Sequence, residues 1–194
     1  LIKRMSAFLL CLMLLMGAFS STALAAPDWP SGVSVQAESG IVIDADTGTV
    51  LWGQNIHNQY FPASITKIMT ALIVIETCSL DETVTFSHNA VFNVEAGSSN
   101  AGINEGDKLS VKDCLYALLL KSANEAANAL AEHVAGSTEA FADMMNAKAK
   151  ELGCTDTHFA NPSGLNDPEH YTSTYDMALI ARAAFLNPTF EEID

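Results

Sequence analysis

The chain has 194 residues, of which 49% are hydrophobic and 16% charged, and this composition excludes a disordered or low-complexity protein. Its formal net charge of -14 disfavours a nucleic-acid partner, because an acidic surface repels phosphate backbones. The composition therefore indicates one globular domain that follows an N-terminal segment of different character.

That N-terminal segment, residues 1–25, has the pattern of a secretory signal peptide. Lys3 and Arg4 supply positive charge, an apolar run over residues 7–19 follows, and Ala23-Leu24-Ala25 offers small residues for cleavage. The apolar run is shorter than the ~18–20 residues of a membrane-spanning helix. We therefore expect cleavage and export to the extracytoplasmic side of the membrane, with an uncleaved anchor as the alternative.

The first predicted elements are a β-hairpin and a helix. Two β-rich runs, residues 41–43 and 49–52, are joined by the turn-forming sequence Asp46-Thr47-Gly48. Apolar residues at helical spacing then predict a helix from Ser64 to about Glu76. A short strand over residues 83–86 is followed by a loop rich in Gly, Ser and Asn.

Further helices are predicted in the second half of the chain, because capping residues mark their ends. These signals are the capping boxes Ser110/Asp113 and Ser173/Asp176, the N-cap Ser137, and the C-caps Gly136 and Gly153. Asn161-Pro162-Ser163-Gly164 is predicted to form a turn, and the last helix to run to about Leu186. Helices with a few strands near the start predict a mixed α/β domain of the α+β type.

Cysteine and histidine spacing gives no metal-binding motif. Beyond the predicted signal peptide the chain has Cys78, Cys114 and Cys154, an odd number, so any disulfide leaves at least one thiol free. No Cys or His pair has the short spacing of a zinc motif, and the five histidines are scattered. We expect three small buried cysteines and no metal ligands.

Ser64 and Lys67 stand three residues apart on the same side of the first predicted helix, and Thr70 continues that side. One interpretation is the solvated face of an amphipathic helix. The other is nucleophilic catalysis, because a helix N-terminus favours negative charge on a serine hydroxyl and burial would lower the pKa of the lysine until it acts as a base. Spacing alone leaves both interpretations open.

A second polar element, Lys121-Ser122-Ala123-Asn124, lies where one predicted helix ends and the next begins. It could simply cap the second helix. In a catalytic site, the serine would relay a proton and the asparagine amide would hold a peptide carbonyl. The two motifs in this order favour catalysis more strongly than either motif alone.

The sequence resembles the penicillin-binding D-alanyl-D-alanine carboxypeptidases of low molecular mass, serine peptidases of family S11 that trim peptidoglycan stem peptides. The Ser-x-x-Lys signature, formed by Ser64 and Lys67, is one part of this resemblance. The resemblance covers most of the chain after residue 38. The matching segments are SGIVIDADTGTVLWGQN, FPASITKIMTALI, AGSSNAGINEGD, LLLKSANEAANALAEHVAGS, FADMMNAKAKELG and NPSGLNDPEHYTSTYDMALIAR. The resemblance implies a β-lactamase/DD-peptidase-like fold, with helices packed on an antiparallel sheet.

The resemblance also implies roles for individual residues. Ser64 is the expected acyl-ester nucleophile, Lys67 its general base, Ser122 the proton relay and Asn124 the substrate-binding amide. The implied reaction is attack on the D-Ala-D-Ala carbonyl, departure of D-alanine and hydrolysis of the acyl-enzyme by water. The implied substrate is a peptidoglycan stem peptide ending in D-Ala-D-Ala, β-lactams are implied as covalent inhibitors, and no cofactor or metal is implied.

A third family element, Lys-Thr-Gly or Lys-Ser-Gly on a strand beside the cleft, is not found in this sequence. The basic residues after Ser122 are Lys148, Lys150 and Arg182, and none is followed by Thr-Gly or Ser-Gly. We therefore expect residues 26–194 to be the N-terminal portion of a DD-peptidase catalytic domain. The natural reading frame is expected to continue with that element and its strands, and could add a C-terminal membrane anchor.

The residues alone leave two other functions open. A class A β-lactamase shares the first two motifs but needs a glutamate that activates the deacylating water. Glu169 is the candidate for that role, against its interpretation as an exposed turn carboxylate beside Pro168. A non-catalytic exported binding module would instead have Ser64 and Lys67 as surface residues, and Ser64→Ala would leave its behaviour unchanged.

Overall fold

The computed structural model describes residue 32 and residues 35–194, so the predicted signal peptide at residues 1–25 lies outside the described part. Within that part, no helix combines the length and the apolar character needed to cross a membrane. The elements in chain order are β1 (Gly40–Ile43), β2 (Val50–Gln54), β3 (Gln59–Tyr60), a 3-10 helix (Ala63–Thr66), α1 (Lys67–Thr77), β4 (Thr83–Thr85), α2 (His88–Phe92), β5 (Lys108–Ser110), α3 (Val111–Leu120), α4 (Asn124–Ala135), α5 (Thr138–Glu151), β6 (Thr172–Ser173), α6 (Thr174–Phe185) and α7 (Pro188–Ile193). The predicted α+β class is confirmed.

The strands of the described residues form three two-stranded antiparallel ribbons, β1–β2, β3–β6 and β4–β5. The β1–β2 ribbon is the predicted hairpin, and Asp44 Oδ1 closes its turn by accepting from the backbone N–H of Thr47 at 2.8 Å. The β3–β6 ribbon pairs Gln59 with Ser173 and so joins the segment before Ser64 to the start of α6. Its strands are too short to show a period-2 pattern, so the sequence did not predict them.

Helix α1 is the central helix of the described domain and packs against α3, α4, α5, α6 and α7. Its side chains at Met69, Leu72 and Val74 are at most 1% exposed. Neighbours on several sides explain why this helix is apolar over most of its circumference. Because burying one such side chain contributes about 1.5–3 kcal/mol, the packing of α1 fixes the position of the polar residues at its N-terminus.

The predicted serine N-caps and the C-cap Gly136 are confirmed, whereas the C-cap of α5 is Leu152 instead of Gly153. Ser110, Ser137 and Ser173 each accept a hydrogen bond from a backbone N–H three residues later. The predicted helix from Ser64 to about Glu76 is confirmed in its extent, but its first turn, residues 63–66, is a 3-10 helix and the α-helix α1 begins at Lys67. The first residue of this tighter turn is Ala63, which has a left-handed backbone with a φ of 50°.

The three described cysteines are free thiols in different surroundings. Cys114 is fully buried on α3, as predicted. The same expectation is wrong for Cys78 and Cys154, which are half-buried, because one follows the last residue of α1 and the other lies just beyond α5. Helix ends lie closer to the domain surface than the middle of α3 does.

Candidate active site

The Lys67 ammonium group is buried at the N-terminus of α1, and only 2% of the residue is exposed. Its Nζ donates to Asn124 Oδ1 at 2.7 Å and to the Ser163 carbonyl at 2.6 Å, and it lies 3.4 Å from Ser64 Oγ. These oxygens match the three donors of an ammonium group, which explains how a cation can be buried here. The structure therefore brings three of the four predicted site residues into direct contact.

The interpretation of Ser64, Lys67 and Thr70 as a solvated helix face is wrong. Thr70 is fully buried, like Lys67, and its hydroxyl donates to the Pro162 carbonyl at 2.7 Å. Ser64 alone of the three is exposed. The polar stripe on this helix therefore faces an internal polar site with an opening at Ser64.

Burial lowers the pKa of Lys67 from 10.5 to about 8, because the surroundings disfavour the charged form. The negative charge of Glu125 acts in the opposite direction and raises this pKa. With a pKa near 8, roughly one tenth of the lysine is neutral at pH 7. A neutral amine 3.4 Å from Ser64 Oγ can accept the hydroxyl proton, as a general base must.

Ser64, Lys67 and Ser122 line one cavity of about 270 Å³. Its remaining walls are mainly aliphatic and consist of Ile65, Ile68, Leu118, Leu119 and Asp194. Since Ser64 is exposed and Lys67 is buried, a ligand in this cavity meets the hydroxyl before the amine. The arrangement suits a nucleophile that is open to substrate and a base that is shielded from water.

Ser122 connects α3 to α4 in a strained conformation. Its φ of 55° lies in the left-handed region, which costs a non-glycine residue about 1–3 kcal/mol. Its Oγ is buried and has no hydrogen-bond partner among the described residues. A buried unpaired hydroxyl on a strained backbone is typical of functional sites, and this one lines the same cavity as Ser64.

Asn124 is the first residue of α4 and is 3% exposed. Its side-chain oxygen is held by Lys67, and its backbone N–H donates to the Ser99 carbonyl at 3.0 Å. The N-cap of α4 is Ala123, which makes no side-chain capping bond. The interpretation of residues 121–124 as a simple helix cap is therefore wrong.

Glu125 is a site residue that the sequence reasoning missed. It is 2% exposed, and its Oε1 accepts from the backbone N–H groups of Ala101 at 2.7 Å and Gly102 at 3.1 Å. These charge-assisted bonds hold the Gly/Ser/Asn-rich loop against the N-terminus of α4. The only sequence signal was an acidic residue in a first helical turn, which is commonly just a favourable interaction with the helix dipole.

The predicted turn over residues 161–164 supplies two walls of the site that were also missed. The Pro162 carbonyl receives the Thr70 hydroxyl, and the Ser163 carbonyl receives Lys67 Nζ. Backbone carbonyls carry no residue-type signal, so the sequence could not show that this turn lies against α1. Its role in the structure is to provide the acceptors that make burial of Lys67 possible.

Gly164 packs against the backbone that precedes the nucleophile. Its φ is +82°, and a Cβ at this position would lie 1.9 Å from the Ala63 carbonyl oxygen. Asn161 Oδ1 accepts from the Gly164 N–H at 2.8 Å and so fixes the glycine in this position. No other residue type fits here, because every side chain would overlap the Ala63 peptide.

His170 is 2% exposed and contacts Thr66, the last residue of the 3-10 helix. Its Nδ1 accepts from the Ala160 N–H at 3.0 Å, so the proton is on Nε2, which donates to Thr66 Oγ1 at 2.8 Å. Burial lowers the pKa of His170 to about 4, because the protonated ring would lose its hydration. A neutral, singly protonated ring thus fixes the residue two positions after Ser64.

Glu169 is exposed and does not line the cavity beside Ser64. Its backbone carbonyl accepts from His158 Nδ1 at 2.6 Å, and its backbone N–H donates to Asp167 Oδ1 at 2.8 Å. These backbone contacts agree with the interpretation of Glu169 as a turn residue.

Comparison with known proteins agrees with the arrangement of this site. Residues 22–194 match the sequence profile of the D-alanyl-D-alanine carboxypeptidases, peptidase family S11. The chain is 38% identical over 187 residues to D-alanyl-D-alanine carboxypeptidase DacF of Bacillus subtilis, a match that covers 93% of this chain and 47% of the relative. It is 37% identical over 169 residues to D-alanyl-D-alanine carboxypeptidase DacB2 of Mycobacterium tuberculosis, with 86% and 55% covered.

Solved structures of similar proteins have the same fold. The D-alanyl-D-alanine carboxypeptidase DacD from Francisella tularensis has a TM-score of 0.79 and 37% identity, covering 84% of this chain and 40% of that one. Penicillin binding protein 6B from Escherichia coli has a TM-score of 0.81 and 35% identity, covering 86% and 56%. The chain spans about half the length of the curated relatives it matches. The resemblance inferred from the motifs is confirmed, and the chain belongs to the D-alanyl-D-alanine carboxypeptidase family, peptidase family S11.

Proposed function

We propose that the protein is a serine-type D-Ala-D-Ala carboxypeptidase that removes the terminal D-alanine of peptidoglycan stem peptides through an acyl-enzyme on Ser64. The observation that carries this proposal is the buried Lys67, held by Asn124 and the Ser163 carbonyl within 3.4 Å of Ser64 Oγ. The names of the curated relatives support this substrate class.

In the acylation step, neutral Lys67 takes the proton of Ser64 Oγ, which attacks the carbonyl carbon of the D-Ala-D-Ala peptide bond. The backbone N–H of Ser64 is the proposed donor to the resulting oxyanion, an interaction typically worth about 2.7–4 kcal/mol. When the intermediate collapses, the C–N bond breaks and the departing amine needs a proton. Ser122 is the proposed relay, because its otherwise unpartnered hydroxyl lines the same cavity as the nucleophile and the base.

Once Ser122 has passed the Lys67 proton to the departing amine, Lys67 is neutral again. In the deacylation step it takes a proton from the attacking water and gives it to Ser64 Oγ as the ester C–O bond breaks. Asn124 has two proposed functions in this cycle. Its Oδ1 holds the lysine, which leaves its amide N–H groups free to donate to a substrate carbonyl. The protein therefore uses one amide both to orient the base and to bind the stem peptide.

The site of action follows from the same proposal. Stem peptides lie outside the cytoplasmic membrane, so an exported protein with the predicted signal at residues 1–25 would act in the cell envelope. β-Lactams are proposed covalent inhibitors, because their carbonyl takes the place of the D-Ala-D-Ala carbonyl at Ser64. A C-terminal membrane anchor also stays a proposal.

The two alternative functions have less support. The β-lactamase alternative needs Glu169 beside the acyl-enzyme, whereas this residue is exposed and lies outside the cavity lining. The binding-module alternative needs Lys67 at the surface, whereas Lys67 is 2% exposed and hydrogen-bonded to Asn124.

The test uses protein expressed from its complete reading frame. Penicillin should form a long-lived ester, which intact mass and peptide mapping locate on Ser64, and a pentapeptide ending in D-Ala-D-Ala should release D-alanine. Ser64→Ala should abolish both, whereas Ser79→Ala, an exposed serine beyond the other end of α1, should change neither. An adduct on another residue, rapid turnover of penicillin, or D-alanine release by the Ser64 variant would overturn the proposal.

A further inference from the structure

A cluster of three potential ligands lies at the C-terminal end of α1, at the opposite end of this helix from Lys67. The Sγ of Cys78, a carboxylate oxygen of Glu82 and an imidazole nitrogen of His133 all lie within 4.8 Å of one another. Two of these atoms, Glu82 Oε2 and His133 Nε2, are 3.0 Å apart. We propose that these three side chains form a binding site for a divalent cation of the zinc class.

The cluster can contract into a tetrahedral site, since its ligand atoms already lie within 4.8 Å of one another. With metal–ligand bonds of about 2.0–2.3 Å, tetrahedral ligand atoms lie about 3.3–3.8 Å apart. Side-chain movements of about an ångström would therefore bring Cys78, Glu82 and His133 into position around one ion. Such movements need only rotamer adjustment, because none of the three side chains is fully buried.

The donor types decide the class of ion. A thiolate and an imidazole are ligands of zinc and similar transition metals, whereas magnesium and calcium prefer sites built of oxygen atoms alone. Three protein ligands leave the fourth tetrahedral position for water. The expected occupant is therefore Zn²⁺, with Co²⁺ as a spectroscopic substitute.

The backbone around the cluster holds Glu82 in place. The Ser79 N–H donates to Glu82 Oε1 at 2.6 Å, which leaves Oε2 directed at His133. The Glu82 N–H donates to the Ser79 carbonyl at 3.1 Å, and the Glu82 carbonyl accepts from the Val111 N–H at 2.9 Å. One ligand is thus fixed at both its side chain and its backbone, which reduces the ordering needed on binding.

The Glu82–His133 contact alone would be an ordinary partly exposed ion pair, with side-chain exposures of 44% and 23%. That pair gives no reason for a thiol to lie against it. The Cys78 thiol makes a weak contact with Thr77 Oγ1 at 3.8 Å. The thiol therefore has free lone pairs beside two other donors, which is the requirement for a third ligand.

The cluster joins the same two helices as the active site does. Lys67 and Asn124 connect the N-termini of α1 and α4, while Cys78 follows the end of α1 and His133 lies in the last turn of α4. With 11 residues in α1, the two connections are roughly 16 Å apart along the helix axis. A bound ion would hold α1 parallel to α4 and so stabilise the helix pair that positions the base.

This inference departs from the absence of metal ligands that we expected from the sequence. That expectation rested on short spacing between Cys and His residues, whereas His133 lies 51 residues from Glu82. Spacing rules detect ligands within one loop or helix turn, whereas only the fold brings His133 to Cys78 and Glu82.

The test titrates Co²⁺ and then Zn²⁺ into chelator-treated protein from the complete reading frame. We expect a near-ultraviolet thiolate-to-cobalt absorption band at one ion per chain, which Zn²⁺ removes. Cys78→Ser should abolish the band and weaken Zn²⁺ binding by at least ~10-fold, because one of three protein ligands is lost. Cys154→Ser, which removes a half-buried thiol outside the cluster, should retain both.

Two measurements keep the result interpretable. Circular dichroism verifies that the Cys78 variant is folded, and in the unaltered protein Zn²⁺ should slow alkylation of Cys78 but not of Cys154, as peptide mapping would show. Absence of a thiolate band, equal Zn²⁺ binding by the two serine variants, or unprotected Cys78 at saturating Zn²⁺ would each overturn the proposal.

Discussion

The hydrogen bond from Lys67 Nζ to Asn124 Oδ1 is 2.7 Å long and joins residues 57 positions apart in the sequence. It connects the first residue of α1 with the first residue of α4, so the two sequence motifs meet at two adjacent helix N-termini. This contact makes the protonation state of Lys67 sensitive to charges on the first turn of α4.

The pH dependence of acylation should reflect the pKa of Lys67. Because only the neutral amine accepts the Ser64 proton, the acylation rate constant with penicillin should rise with pH to a midpoint of about 8. Glu125→Gln keeps an oxygen acceptor for the loop and removes the charge that raises this pKa, so the midpoint should move to lower pH. Stopped-flow labelling over a range of pH gives the profile. Glu95→Gln, at an exposed position, is the control, and an unchanged or higher midpoint in the Glu125 variant would contradict the assignment of the base.

Removal of the base should slow acylation without removing the nucleophile. Lys67→Ala is expected to lower the acylation rate constant by ~10² to 10⁴, the range typical of general-base assistance. The control Lys108→Ala removes a lysine that is exposed at the start of β5. Penicillin labelling measures the rates, and circular dichroism verifies the fold. A Lys67 variant that is folded and labels at the rate of the control would show that another group deprotonates Ser64.

Because Gly164 packs against Ala63, a substitution at Gly164 should displace the backbone that precedes the nucleophile Ser64. Gly164→Ala should displace the Ala63 carbonyl, because the new Cβ would lie 1.9 Å from its oxygen. Gly97→Ala is a matched control, since Gly97 has a similar φ of +81° with nothing within 4 Å of its Cβ position. In both variants the left-handed backbone of the new alanine should lower the free energy of unfolding by about 1–2 kcal/mol. Only the Gly164 variant should also lose acylation of Ser64. Equal acylation by the two variants would show that the Ala63 backbone does not control the nucleophile.

The sequence predicted those parts of the fold and site that have a local signal. Ser110, Ser137 and Ser173 cap helices as expected because capping depends on a side chain and the next three residues. The contact of Ser64 with Lys67 was predictable from spacing along one stretch of chain. Assignment of Ser122 and Asn124 to the same site needed the family resemblance, because two distant motifs share no local pattern.

The missed features depend on contacts between distant segments. The Ser163 carbonyl that holds Lys67 is a backbone atom, so its residue type says nothing about its partner. Glu125 resembles any acidic residue in a first helical turn, and its burial against Ala101 is visible only in the folded chain. His170 was counted among scattered histidines, because its partner Thr66 lies 104 positions away.

His170 predicts that stability falls in weakly acidic solution. Its pKa is about 4 in the folded protein, against an ordinary value of 6.5 for histidine, so between these values the unfolded chain binds a proton that the folded chain does not. The free energy of unfolding should therefore decrease as the pH falls from about 6.5 to about 4. A pKa difference of one unit corresponds to 1.36 kcal/mol, so the free energy of unfolding should fall by on the order of 3 kcal/mol over the whole range.

The measurement is urea unfolding of the protein at pH 7 and at pH 4.5. His170→Asn retains an oxygen that can accept from the Ala160 N–H but cannot titrate in this range, so the variant should be less stable at pH 7 and lose less stability on acidification. His57→Asn, at a side chain 62% exposed, is the control and should retain the full decrease. If the His170 variant lost as much stability as the His57 variant, the acid sensitivity would come from other groups, and the neutral ring behind Thr66 would have no part in it.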